Sequence, residues 1–467
     1  MIKLVVAADD FTGALDTGVQ FAKQGIQTWV TTHVDVNFNS IDGDIEVLVV
    51  DTETRHKSSD EAYKVVFKLI KEATDFGIKH IYKKTDSVLR GNIGSELLGA
   101  MEGADCDHLM FVPAFPDNDR TTENGIQYVS GVPIAETHFA KDPFTPVCES
   151  FIPDIIGQCA SVKMTIVKAW EIRESKKGIG EAIEIERVKE DSETIKMVGA
   201  EEAGEVVDFN KGCGIFIFDA KTNDELVSIG KILTESNQTR LMAGCAGFAG
   251  ILHTILDFSK KAPEPVIPGN NILLVSGSVN DTAIEQMGYA KQIGFKGISL
   301  TPEQKLNRIY KKSSLQEKQP QCKELIRKVN DILEHNKLAY IEAVESRGDM
   351  EKTNQYAVED VDTDIESIRT LITENIGEIV KQVVDNCKID NLFVFGGDTL
   401  LGITKKLDIK NILPMFEIGS GIVVSKIISD KYSFNIITKA GGLGGKDAAE
   451  MVVKRLLYNP KETHSEL

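Results

Sequence analysis

Lys3-Leu4-Val5-Val6-Ala7-Ala8-Asp9-Asp10-Phe11-Thr12-Gly13-Ala14 lies at the start of the chain, and its reading decides the fold class. The apolar run Lys3–Ala8 reads as a strand, stops at two consecutive carboxylates, and gives way to a helical pattern over Ala14–Lys23. In an open parallel sheet the carboxyl edge of a strand is where ligands sit. Asp9 and Asp10 therefore stand where carboxylates orient substrate hydroxyls or accept a proton. The competing reading is that Asp10 or Thr12 caps the following helix. One Asp suffices for a cap, and two are present.

The same rhythm continues outward. Val47–Asp51, His80–Lys83 and Leu109–Pro113 read as strands, and Ser59–Phe76 and Ile93–Met101 as helices, with Gly25 and Gly77 placed as left-handed caps. Asn124-Gly125 and Ser130-Gly131 punctuate short alternating segments, which predicts a hairpin excursion over Asn124–Thr137. Gly214–Asp219 and Leu273–Ser276 read as buried strands. Three prolines, Pro263, Pro265 and Pro268, mark residues 263–270 as a linker between an N-terminal domain, 1–262, and a C-terminal domain, 271–467. Beyond it, Glu303–Asn336 and Asp364–Asn386 carry helical periodicity, and Asn391–Phe395 is a strand. The expected fold is two α/β domains with largely parallel sheets.

Composition narrows the chemistry. The chain has 467 residues, enough for two cores, and 53 Lys and Arg against 71 Asp and Glu give a formal net charge of -18. That field repels nucleic acid and anionic lipid, so neither nucleic acid nor membrane is expected as a partner. Seven cysteines, an odd number without metal-ligand or redox spacing, fit reduced thiols in the cytoplasm. No signal peptide or bilayer-spanning run is expected.

Against an acidic background a local cationic cluster is informative. Lys83-Lys84-Thr85-Asp86-Ser87-Val88-Leu89-Arg90-Gly91-Asn92 packs three cations, an acid and two hydroxyls where a strand yields to a helix. An arginine fork suits a carboxylate, and Asp86 is placed to hold or deprotonate a hydroxyl. A solvated capping loop is the bland alternative. In the second half, Ser276-Gly277-Ser278, Gly396-Gly397-Asp398-Thr399 and Ala440-Gly441-Gly442 each follow an apolar run. Glycine turns at strand ends let backbone N–H groups approach phosphate oxygens. Gly419-Ser420-Gly421 is a fourth such turn or a plain connection. Gly441 to Lys446 is one residue short of a Walker phosphate loop, and no Gly-x-Gly-x-x-Gly follows the first strand. The histidines form no metal-binding pair, so zinc hydrolysis and Ser-His-Asp chemistry lack support.

These motifs, with Pro113-Ala114-Phe115-Pro116, Asn124-Gly125 and Lys439-Ala440-Gly441-Gly442, resemble those of the four-carbon acid sugar kinases over nearly the whole chain. The resemblance implies a sugar-acid-binding N-terminal domain and a nucleotide-binding C-terminal domain, with the active site in the interdomain cleft. It implies ATP and Mg2+ as cofactors, a small sugar acid of the threonate, erythronate or 3-oxo-tetronate class as partner, and transfer to a terminal hydroxyl. Asp9, Asp10, Lys84, Asp86 and Arg90 would then meet the substrate, with Arg90 and Lys84 on its carboxylate and Asp10 or Asp86 as catalytic base. Ser276 or Ser278, Gly396, Gly397, Asp398, Thr399, and Gly441 or Gly442 would meet the nucleotide. No residue is assigned to a metal, and the oligomeric state stays open between one chain and a homo-oligomer. A kinase of another sugar acid, a sensor without turnover, and a dehydrogenase are the alternatives.

Overall fold

The computed structural model describes residues 1–41, 43–141, 145–168, 182–186, 196–198, 213–262, 269–306, 319–358, 365–439 and 442–458. The chain divides into two units, Met1–Ala262 and Pro263–Leu467. Residues 263–268 of the expected linker lie outside the described residues.

In the first unit the strands are β1 (Leu4–Ala8), β2 (Thr28–Thr31), β3 (Val47–Asp51), β4 (His80–Lys84) and β5 (His108–Val112). There follow β6 (Arg120–Glu123), β7 (Ile126–Val129), β8 (Val132–Pro133), β9 (Met164–Lys168), β10 (Ala182–Glu186), β11 (Lys196–Val198), β12 (Gly214–Asp219) and β13 (Leu241–Gly244). Eight of them form a parallel run in the order β2-β3-β1-β4-β13-β5-β12-β9. Two antiparallel strands, β10 and β11, extend it beyond β9. All five residues of β1 are buried, as a strand covered on both faces requires. Each fully buried aliphatic side chain there contributes about 1.5–3 kcal/mol relative to exposure. The helix after β1 is Phe11–Ala22, starting three residues before the expected position because Asp10 caps it, accepting from the Gly13 N–H at 3.1 Å.

The chain runs from β1 to β2 and β3 on one side, then crosses to β4 on the other. That reversal opens a crevice at the carboxyl ends of β1 and β4, the switch-point position for ligands. The expected hairpin is a three-stranded antiparallel sheet, β6-β7-β8, beginning earlier than foreseen, at Arg120. Its first turn carries Asn124 at φ 52° and Gly125 at φ 71°, the pair of positive angles a tight hairpin demands.

The second unit contains β14 (Ile272–Ser276), β15 (Lys296–Ser299), β16 (Leu338–Glu342), β17 (Asn391–Phe395), β18 (Asn411–Gly419), β19 (Ile422–Ile428) and β20 (Asn435–Lys439). Five run parallel in the order β15-β16-β14-β17-β20, and β19 and β18 continue antiparallel. Here the reversal falls between β14 and β17. The helical pattern expected over Glu303–Asn336 resolves into Pro302–Leu306 and Gln319–Asn336, with 307–318 outside the described residues. Gly419-Ser420-Gly421 is the hairpin connection between β18 and β19, the plain reading of that turn.

Candidate active site

At the carboxyl edge of the first sheet, Asp9 and Asp10 leave β1, Lys84 ends β4, and Asp86 and Arg90 follow in the next loop. Asp9, Lys84 and Asp86 are buried, at 1%, 3% and 7% exposure. The residue that ties them together is Arg55, which the sequence reading missed. Its Nε donates to Asp9 Oδ2 at 2.8 Å and its Nη2 to Asp10 Oδ1 at 2.7 Å, and Nη2 lies 3.5 Å from Asp86 Oδ1. One guanidinium thus spans three carboxylates, the fork geometry at which arginine excels.

Local backbone bonds hold Arg55 there. Its N–H and that of Thr54 both donate to the Asp9 carbonyl, at 3.2 and 3.0 Å. Asn92 Nδ2 donates to the carbonyls of Thr54 and Lys57, each at 2.8 Å, lacing the Lys84–Asn92 loop to the Arg55 loop. The available signal was position: Arg55 lies just beyond β3, at the same edge as the other residues.

Arg90 is engaged differently from the expectation. Its Nε donates to Asp86 Oδ2 at 2.8 Å and its Nη2 to Asp86 Oδ1 at 3.1 Å, so the fork assigned to a substrate carboxylate grips Asp86. Lys84 Nζ donates to the Thr85 carbonyl at 2.8 Å and stands 4.0 Å from Asp9 Oδ1. Asp9 Oδ1 and Thr85 Oγ1 are buried without a hydrogen-bond partner among the described residues. Buried polar atoms left open in this way are the ones a polyhydroxylated ligand satisfies.

Charge fixes protonation. Burial alone would raise the Asp86 carboxyl, but Arg90 and Arg55 outweigh it and hold it far below the usual carboxylate range. Asp10, partly buried, is held below its ordinary value by Arg55, Lys84 and the Thr12 hydroxyl, which outweigh its desolvation; that hydroxyl donates at 2.7 Å. Asp51, at the end of β3, goes the other way: burial, then Glu53 and Asp10, push it well above its ordinary value.

The second unit has its own strand-edge cluster. Ser276, buried at the end of β14, pairs in register with Phe395 at the end of β17. Gly277 lies against Thr399, Ser278 lies beside Gly396, and the Gly396 N–H donates to the Lys439 carbonyl at 3.0 Å. Gly396, at φ 94°, precedes the helix Gly397–Leu407, whose N-terminus has no side-chain cap. Its first N–H groups are the donors a phosphate takes. Asp398 would repel phosphate, but Arg369 neutralises it through bonds of 2.8 and 2.5 Å. Gly442 lies near Asn280, and the loop after it is pinned by Gln286 Nε2, which donates to the carbonyls of Leu443, Gly444 and Gly445 at 3.1, 3.1 and 2.9 Å. Gly441 lies outside the described residues.

Comparisons with known proteins agree with this division. Residues 4–252 match the model of a sugar-binding N-terminal domain, and residues 273–449 that of a nucleotide-binding C-terminal domain. Among curated relatives, D-threonate kinase of Salmonella typhimurium is 26% identical over 458 residues, covering 95% of this chain and 96% of its own. D-erythronate kinase of Heliobacterium modesticaldum is 24% identical, with 98% of each chain covered. The 3-oxo-tetronate kinase of Escherichia coli is 26% identical over 63% of this chain and 70% of its own. A crystal structure from Salmonella typhimurium LT2 aligns with a TM-score of 0.73 at 20% identity, over 98% of this chain and 100% of that one. A Haemophilus influenzae structure aligns at 0.67 and 18% identity, over 97% and 100%. At those identities the structures establish the fold. With both domain models matched in order across nearly its whole length, the chain belongs to the four-carbon acid sugar kinase family.

Proposed function

We propose that the protein is a cytoplasmic kinase that transfers the γ-phosphoryl group of ATP to a terminal hydroxyl of a four-carbon sugar acid, of the threonate, erythronate or 3-oxo-tetronate class. The observation that carries this reading is the Arg55-centred cluster, in which open buried acceptors and fixed cations share one strand edge. A small, anionic, hydroxyl-rich molecule matches it. The glycine turns and uncapped helix of the second unit fit the phosphates of ATP, and transfer requires the two sites to meet.

Phosphoryl transfer asks for alignment and charge neutralisation more than covalent chemistry. Asp9 and Thr85 receive and orient substrate hydroxyls. Asp10 is the better proton acceptor of the two candidates: its side chain is 19% exposed against 9% for Asp86, and among the described residues its Oδ2 meets only the Thr12 hydroxyl, whereas Arg90 holds both oxygens of Asp86. Asp86 acts by holding Arg90 and Arg55 in place. Mg2+ would supply further neutralisation of the phosphates; among the described residues no three His, Cys, Asp or Glu side chains are grouped to hold a metal unaided.

The test is ADP release from ATP and Mg2+ across a panel of four-carbon acids and longer aldonates. Turnover should appear with a four-carbon acid and fall at least about 100-fold in Asp10→Asn, the scale of a general base. Undiminished turnover in Asp10→Asn removes it as base, and tight ligand binding without ADP release favours a sensor.

A further inference from the structure

The three carboxylates of the substrate edge are already matched by cations: Arg55 takes Asp9 and Asp10, Lys84 stands against Asp9, and Arg90 closes on Asp86. A fourth cation at this edge, Arg120, is engaged by none of them. It begins β6, the first strand of the hairpin sheet. Its Nη1 donates to the Asn118 carbonyl, while its Nε is buried with no hydrogen-bond partner, and it forms no ion pair among the described residues. Burial pulls the guanidinium below its ordinary value, against the opposing influence of Asp86, Cys245 and Asp119, and Arg90 adds to the depression. Arg120 therefore lies within electrostatic reach of the Asp86–Arg90 pair without being consumed by it.

Its backbone is fixed as firmly as that of any site residue. Arg120 N–H donates to the Phe115 carbonyl at 3.0 Å, and its own carbonyl accepts from the Phe115 N–H at 2.8 Å. Two residues on, Thr122 N–H donates to Ala220 at 2.9 Å, and its buried hydroxyl donates to Gln127 Oε1 at 2.7 Å. Gln127 Nε2 in turn donates to the Ser87 carbonyl at 3.1 Å, tying the hairpin to the residue after Asp86. The Asp219 carboxylate clamps the turn by accepting from Asn124 N–H at 2.6 Å and Gly125 N–H at 2.9 Å. A buried guanidinium donor left open is costly unless something comes to meet it, and the hairpin that presents this one is tied to the residue after Asp86.

We propose that Arg120 receives the carboxylate of the substrate, and that the hairpin sheet is the element that selects an acid over a neutral polyol. This inference rests on the sugar-acid reading above and moves the carboxylate-binding role from Arg90 to Arg120. Arg90, committed to Asp86, is then a positioning residue.

The test uses the full chain and two probes, a four-carbon sugar acid and its uncharged amide, titrated by calorimetry into wild type, Arg120→Gln and Arg120→Lys. Loss of one charge-assisted donor pair predicts an affinity for the acid reduced on the order of 10- to 100-fold in Arg120→Gln. The amide should change less than about threefold and Arg120→Lys should fall between, since a lysine keeps the charge but not the fork. A general structural defect would weaken both probes alike, and that result overturns the proposal. So does an Arg120→Gln variant that keeps its acid affinity, even while wild-type turnover upholds the kinase. If wild type binds the acid in an Arg120-dependent manner yet never releases ADP, the kinase reading fails and the assignment of Arg120 stands.

Discussion

Replacing Arg55 by methionine should cost stability as well as activity, and the structure sets the scale. The guanidinium makes two charge-assisted hydrogen bonds, to Asp9 and Asp10, and lies 3.5 Å from Asp86, with its side chain only 9% exposed. Removing one member of a buried ion pair leaves an uncompensated charge and costs about 3–5 kcal/mol. The sign of the pH dependence follows. In wild type, the Asp10 carboxyl is depressed, so its contribution is present above its unfolded value and fades as pH falls through the folded one. In Arg55→Met its foremost cation is gone while burial remains. Its folded value then rises, and the charged form becomes a cost that acid relieves. The deficit should therefore be largest near pH 7 and shrink toward pH 4. Trp29, on β2, lies in the first unit, so its fluorescence during urea titration reports that unit. A deficit under about 1 kcal/mol, or one that grows on acidification, would refute the idea that Arg55 neutralises this edge.

Three further outcomes follow from local geometry. A Cβ at position 13 would lie 2.4 Å from Asp10 Oδ1 and 2.8 Å from Lys84 Nζ, so Gly13→Ala should raise KM for the acid at least about tenfold, one unit of 1.4 kcal/mol, while KM for ATP holds. Gly277→Ala brings a Cβ 2.4 Å from Thr399 Oγ1 and should do the reverse, raising KM for ATP with the acid unaffected; steady-state kinetics with each substrate varied separates the two. Burial pushes Asp219 up to about 6, above its unfolded value, so its contribution is full in acid and is lost as pH rises toward 7. Asp219→Asn should flatten that part of the profile, worth on the order of 2–3 kcal/mol, in urea titrations of both proteins between pH 4 and 7.

The parts of the site that were legible in the sequence are those whose chemistry is consecutive. Asp9-Asp10 and Lys84 to Arg90 sit at the ends of strands whose apolar runs announce them, and the glycine turns of the second unit do the same. Arg55 and Arg120 belong to no such cluster. The carboxylate partners of Arg55 are 31 to 46 positions away in sequence and meet it only through strand order, and Arg120 is placed by the hairpin's docking on Ala220, Asp219 and Ser87. Strand β13 shows the same limit for the fold: four residues ending in glycine give little periodic signal, yet it lies in the sheet between β4 and β5. The pairing of Arg90 with Asp86 was not foreseen for a related reason, because an arginine four residues after an aspartate reads equally as a ligand fork or as an internal pair.

The central claim is most directly tested by the product. The protein, ATP, Mg2+ and the best four-carbon acid should yield ADP and a phosphorylated acid in equal amounts, with phosphorus-coupled NMR placing the new ester on the terminal carbon. ADP formed with inorganic phosphate alone, or an ester on the carboxyl or an internal hydroxyl, would contradict the account.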